Sequence, residues 1–216
     1  MFQQFDLGVF LLAVLPVLLA ITVHEAAHGY AARHYGDRTA EMMGRLTLNP
    51  VKHIDPIGTI VVPLVMFLFT PFLFGWAKPV PVNTRNFKNV RIGMRMVAIA
   101  GPLSNLAMAF GWALAMVASQ WVPENFQEPL AIMSRYGIII NAVLFVLNML
   151  PILPLDGGRF VDTFLSARAS VQYRKIEPYG TWIILLLLMT GLLGKIMSPF
   201  IGMVMYLVQQ FVRLFI

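Results

Sequence analysis

FDLGVFLLAVLPVLLAITVHEAAHGYAA, residues 5–32, decides how this chain must fold. After Asp6 the run stays uncharged for more than four helical turns, enough for a helix across the roughly 30 Å hydrocarbon core of a bilayer. Two histidines and a glutamate, His24, Glu25 and His28, then fall inside the same apolar run. Ionisable groups at such depth persist only where they pair, bind a metal or line a water-filled cavity, so they mark a functional site.

Outside that run the composition points the same way. Of the 216 residues, 58% are hydrophobic and 12% charged, whereas a soluble domain is about half apolar and about a quarter charged. An ordinary water-soluble enzyme is excluded. Further apolar runs near 57–75, 96–120, 130–153, 180–194 and 196–216 predict an all-α polytopic membrane protein with about six transmembrane or re-entrant helical segments. The longest polar stretch is about 25 residues, where a separate soluble domain needs at least roughly 50. We therefore expect a single membrane-embedded domain over 1–216, with a core at 5–160 and C-terminal helices at 178–216. MFQQFDLGVF has no basic n-region of a secretory signal, so the first run is expected to remain as a span.

The net charge of +6 reports orientation rather than a nucleic-acid partner. Thirteen of the sixteen Lys and Arg residues fall in three clusters, Arg33 to Lys52, Lys78 to Arg95 and Arg159 to Lys175, which should face the cytoplasm. Trp121 to Pro129 carries Glu124 and Glu128 but no base and should face out, so the first span runs out to in. The first two clusters flank one apolar stretch, 57–75, which a single crossing would put on opposite sides. Pro63 and Pro71 interrupt it, and a re-entrant path is expected. In GWAKPVPVN, 75–83, Pro79 and Pro81 forbid helix. A short membrane-associated β strand or hairpin is expected there, its edge at Lys78, Pro79, Val80 and Pro81 available to a substrate backbone.

With no cysteine, a metal must be held by His, Asp, Glu or Asn. His24 and His28, at i and i+4, lie on one helix face and can share a zinc, with Glu25 placed to act on the attacking water. A catalytic zinc usually has three protein ligands. Ten residues of helix carry His34 roughly 15 Å from His24; His53, beyond the break at Asn49-Pro50, is not excluded by distance but suits a hydrogen-bonded loop role. Asp156 in NMLPILPLDGGRF, 148–160, is the better candidate: Pro151 and Pro154 break the helix before it, and Gly157 and Gly158 let backbone approach closely.

HEAAH in an N-terminal span, LDGG in a later one and an Asn eight residues before its Asp resemble the site-2 protease family of intramembrane zinc metalloproteases. GRLTLNPVKHIDPIGT (44–59), GWAKPVPVN (75–83) and AGPLSN (100–105) resemble its compact branch without a PDZ or CBS domain. The likeness covers most of 20–160. It implies one zinc per chain on His24, His28 and Asp156, Glu25 as general base, and Asn148 as the Asn that orients substrate or stabilises the oxyanion. Gly101, Pro102 and Asn105 match a motif lining the same core, with Asn105 a candidate substrate contact or packing residue. The implied partners are a transmembrane protein substrate and the bilayer, with no nucleic acid. The implied location is a prokaryotic plasma membrane, with the active site toward the cytoplasm. The alternative is a membrane zinc-binding or zinc-transport protein without proteolytic activity. It would need ligands along a crossing path, whereas these cluster at one end.

Overall fold

The computed structural model describes residues 7–62, 65 and 75–215. Its helices are α1 (Leu7–His34), α2 (Thr39–Met42), α3 (Val90–Ala118), α4 (Glu124–Asn148), α5 (Asp156–Asp162), α6 (Ala167–Arg174), α7 (Glu177–Met189) and α8 (Leu192–Val212). Short 3-10 turns at Pro50–His53 and Thr84–Asn86 and a π turn at Pro56–Val61 lie between α2 and α3. Asn89 caps α3 by accepting from the Ile92 amide, and Ser166 caps α6 from Ala169. Pro16, Pro102 and Pro129 sit inside long helices, as apolar spans tolerate when neighbours satisfy the backbone.

α1, α3 and α4 pack against one another, α5 lies on α3, and α8 closes over α3 and α4. Small residues let the three central helices approach: Ala20, Ala26 and Ala32 on α1, Ala98, Ala109 and Ala113 on α3, and Ala142 on α4 are buried. At Gly137 of α4 an added Cβ would stand 2.3 Å from the Trp112 ring of α3. Asn105 and Asn141 are fully buried among them and bonded to each other, polar glue that fixes the register of α3 on α4.

Two expectations are corrected. Among the described residues four helices, not six, are long and apolar enough to cross a membrane: α1, α3 with its 3-10 extension to Trp121, α4 and α8. The run at 180–194 yields only the 13-residue α7, about 20 Å long against a roughly 30 Å core. Gly191, in the left-handed region at φ 70°, divides it from α8. The re-entrant expectation for 57–75 falls mostly on 63, 64 and 66–74, outside the described residues.

The second correction concerns the β strand or hairpin: 75–83 is extended but joins no ladder, and no strand occurs among the described residues. Its donors go to separate partners. The Trp76 amide bonds Gly58 O, Lys78 bonds His53 O, Val80 bonds Glu25 and Asn83 bonds Asp37, while Pro79 and Pro81 have no N–H to give.

Candidate metal centre

Helical periodicity sets His24 and His28 one turn apart on α1, both buried, their rings nearly perpendicular with centroids 4.6 Å apart. Their Nε2 atoms converge to 3.0 Å. Asp156, the first residue of α5, places Oδ2 at 3.2 Å from each. The proline-broken segment before it turns the chain back, and Gly157 makes this possible: a Cβ there would stand 2.4 Å from Met149 O. Gly180, at the start of α7, packs directly on the carbonyl of Leu153.

The other ring nitrogens fix which atoms face inward. His28 Nδ1 lies 2.7 Å from Val97 O, an acceptor only, so it carries the proton and Nε2 keeps its lone pair. For His24 the assignment runs through two amides. Asn141 Nδ2 donates to Gly137 O, so its Oδ1 accepts from Asn105 Nδ2, and Asn105 Nδ2 also donates to Ala20 O. That leaves Asn105 Oδ1 to accept from His24 Nδ1 at 2.6 Å. With both imidazoles neutral, as metal ligation requires, two Nε2 lone pairs and a carboxylate oxygen point at one another.

Such a triangle is repulsive unless a cation sits within it. Its edges of 3.0–3.2 Å are close to those spanned by ligands about 2.0–2.1 Å from a tetrahedral zinc. Nδ1–H bonds to carbonyl and amide oxygens are the usual support for zinc-bound imidazoles. Among the described residues these three form the only His, Asp and Glu cluster close enough to hold a metal. The donor set fits zinc.

Beside the triangle is a cleft of about 190 Å³ whose lining includes Glu25, Val80, Asn148, Leu155 and Arg159. Glu25 Oε2 accepts the Val80 amide at 2.8 Å. The segment carrying Val80 is held from behind by the buried Arg45, whose Nη2 donates to Lys78 O at 3.0 Å and lies 3.4 Å from Pro79 O. Asn148 lines the cleft and gives one amide hydrogen to Leu144 O.

The structure therefore gathers His24, Glu25, His28, Asp156, Asn148, Pro79 and Val80 at one cleft. Asn105 is drawn elsewhere: it is fully buried, its amide holding His24 rather than lining the cleft. Gly101 lies against both imidazoles, where a Cβ would be 2.4 Å from His28 Nε2. His53 is buried with Nε2 on Thr47 O, and His34 stacks edge-on with Tyr35; neither joins the centre. Sequence reasoning missed Arg45 and Asn141. Asn141 had a signal, a polar residue two helical turns before Asn148 in an apolar span, whereas Arg45 looks in sequence like any loop cation.

The model of peptidase family M50 matches residues 126–191, which contain Asp156. YwhC of Bacillus subtilis (strain 168), which bears a zinc metalloprotease name, is 37% identical over 205 residues, 93% of this chain and 90% of that protein. Rip2 of Mycolicibacterium smegmatis and Rip2 of Mycobacterium tuberculosis (strain ATCC 25618 / H37Rv), named likewise, are each 28% identical. The alignments cover 87% and 93% of this chain and 70% and 74% of the relatives. No solved structure matches the chain significantly. Similarity that runs nearly end to end with a relative named a zinc metalloprotease, around a buried pair of imidazoles and a carboxylate suited to zinc, places the chain in peptidase family M50, the site-2 protease family of intramembrane zinc metalloproteases.

Proposed function

We propose that His24, His28 and Asp156 hold the zinc of this metalloprotease and that Glu25 is its general base. The observation that carries this is the convergence of two imidazole nitrogens and a carboxylate oxygen within 3.2 Å of one another, beside a carboxylate whose Oε2 is already occupied by a backbone amide. Zinc, when bound, supplies Lewis acidity that polarises a peptide carbonyl and lowers the pKa of water toward about 7.

The chain's own groups do the rest. The Val80 amide fixes the Glu25 carboxylate by one oxygen, leaving Oε1 to take the proton of the attacking water and return it to the leaving amine. Asn148 has one amide hydrogen beyond that given to Leu144 O, and donates it to the carbonyl oxygen as negative charge develops, a contribution of about 3 kcal/mol in comparable oxyanion holes. The apolar sides of Val80, Val82 and Val97 receive an unwound stretch of a transmembrane substrate, with Lys78, Pro79, Val80 and Pro81 bordering its path. The chain acts as one domain over 1–216, core 5–160 with C-terminal helices 178–216, in the plasma membrane of a prokaryote. The cleft opens to the cytoplasmic side, where the basic clusters lie.

The test is cleavage of single-span substrates by purified chain in bilayer discs, with zinc measured on the same samples. Wild type should cleave. Glu25→Gln should lose cleavage by a factor of at least about 10³ while keeping its zinc. A Glu25→Gln chain that cleaves at the wild-type rate would remove Glu25 from the role of base.

A further inference from the structure

The cleft has one charged group for which neither the zinc centre nor the base has a use. Its walls are apolar at Val80, Val82, Met94 and Val97, yet the Arg159 side chain also lines it. Arg159 follows Asp156 by three residues on α5, so both lie on one face of that helix. Asp156 is turned to the imidazoles, and the exposed Arg159 borders the same opening.

Among the described residues no carboxylate forms an ion pair with it. Asp156 is engaged by His24 and His28, Glu25 by the Val80 amide, and Asp162 by Ser170 and by Arg174, whose Nη2 approaches to 2.6 Å. Nearby basic residues are differently placed. Arg174 has Asp162, Arg33 and Arg38 share Glu41, and Arg95 bonds Thr163 and lies 3.8 Å over the Phe164 ring. Among the described residues Arg159 is the one Lys or Arg that lines the catalytic cleft, and it has no partner there.

From this we infer that Arg159 is a specificity-determining residue, pairing with an acidic side chain of the substrate beside the scissile bond. The inference rests on the zinc-peptidase reading of the cleft. A guanidinium offers a planar fork of donors that matches a carboxylate in bidentate fashion. At the mouth of the cleft that pairing favours an acidic side chain, and a Lys or Arg at the same substrate position is repelled. The favoured substrate is a transmembrane segment that unwinds with apolar residues against the valine wall and an Asp or Glu within reach of Arg159.

Binding separates this from turnover. Zinc-loaded Glu25→Gln chain in bilayer discs is titrated with fluorescent single-span peptides carrying Asp, Asn or Lys at each of several successive positions near one end of the apolar segment. At one position Asp should bind at least about tenfold more tightly than Lys, a ratio that Arg159→Gln abolishes and Arg159→Glu inverts. An unchanged order of affinities at every position in both variants would overturn the assignment. Zinc is measured on the same samples, so failure of the metal centre is seen separately from failure of charge recognition. Arg159→Gln alone decides the matter if charge reversal disturbs the metal.

Discussion

A methyl group added at Gly101 would stand 2.4 Å from His28 Nε2, 2.6 Å from His28 Cε1 and 2.7 Å from His24 Cε1. Ordinary contacts between such atoms lie near 3.5–4.0 Å, so the two rings and α3 must separate by about 1 Å. Metal sites tolerate ligand displacements of only about 0.2 Å. The rings cannot swing aside freely, because His24 is tied through Nδ1 to Asn105 and His28 to Val97 O. Gly101→Ala should therefore lower zinc affinity by at least about 100-fold, the upper end of what loss of a supporting hydrogen bond produces, and abolish cleavage. Helix propensity works the other way, since alanine favours a helix over glycine by about 1 kcal/mol. Gly111 lies on the same helix, where an added Cβ meets nothing within 4 Å; Gly111→Ala is the control and should keep both zinc and activity. Zinc competition against a chelator, with cleavage of a single-span substrate, reads both variants. A Gly101→Ala chain that binds zinc as tightly as Gly111→Ala would refute the packing of α3 on the imidazoles.

Three further outcomes follow from neighbouring contacts. Asn105→Ala removes the acceptor that fixes the His24 tautomer and should weaken zinc binding by about 10–100-fold, measured by the same competition; an unaltered affinity would break the amide relay. Val80→Pro deletes the amide held by Glu25, a hydrogen bond to a charged group worth about 1.5–3 kcal/mol. Turnover should fall by about one to two orders of magnitude with zinc retained, and undiminished turnover would count against that amide as the group that fixes the base. Burial alone would raise the Asp37 carboxyl, but hydrogen bonds from Thr39, Asn86 and the Asn83 amide hold it below its ordinary value. Its ionised form therefore stabilises the docking of 83–86 at pH values above the unfolded carboxylate range near 3.9. That contribution is lost as pH falls through the lower, folded value. Amide exchange at Asn83 should accelerate in that acid window, and Asp37→Asn should remove the acid dependence.

The parts of the site that sequence made legible are those governed by local periodicity. The i, i+4 spacing of His24 and His28 fixes one helix face, and the prolines at 151 and 154 announce that Asp156 stands on a turned segment. Hydropathy reveals apolar stretches but not where helices end, so the runs at 180–194 and 196–216 predict two transmembrane or re-entrant segments, whereas Gly191 leaves α7 with 13 residues. The prolines at 79 and 81 correctly required extended backbone. They could not say that its partners would be Glu25, Arg45 and Asp37 rather than a strand, because those bonds join residues 33–55 positions apart. Likewise, Asn105 and Asn141 become a support for His24 only when α1, α3 and α4 are packed together.

In the proposed centre, three side chains from two distant segments hold one zinc while Glu25 does not. Zinc per chain in purified wild type, His24→Ala, Asp156→Ala and Glu25→Gln tests it most directly. About one zinc is expected in wild type and in Glu25→Gln, and near zero in the other two at zinc concentrations that saturate wild type. Full zinc binding by Asp156→Ala at wild-type affinity would contradict it.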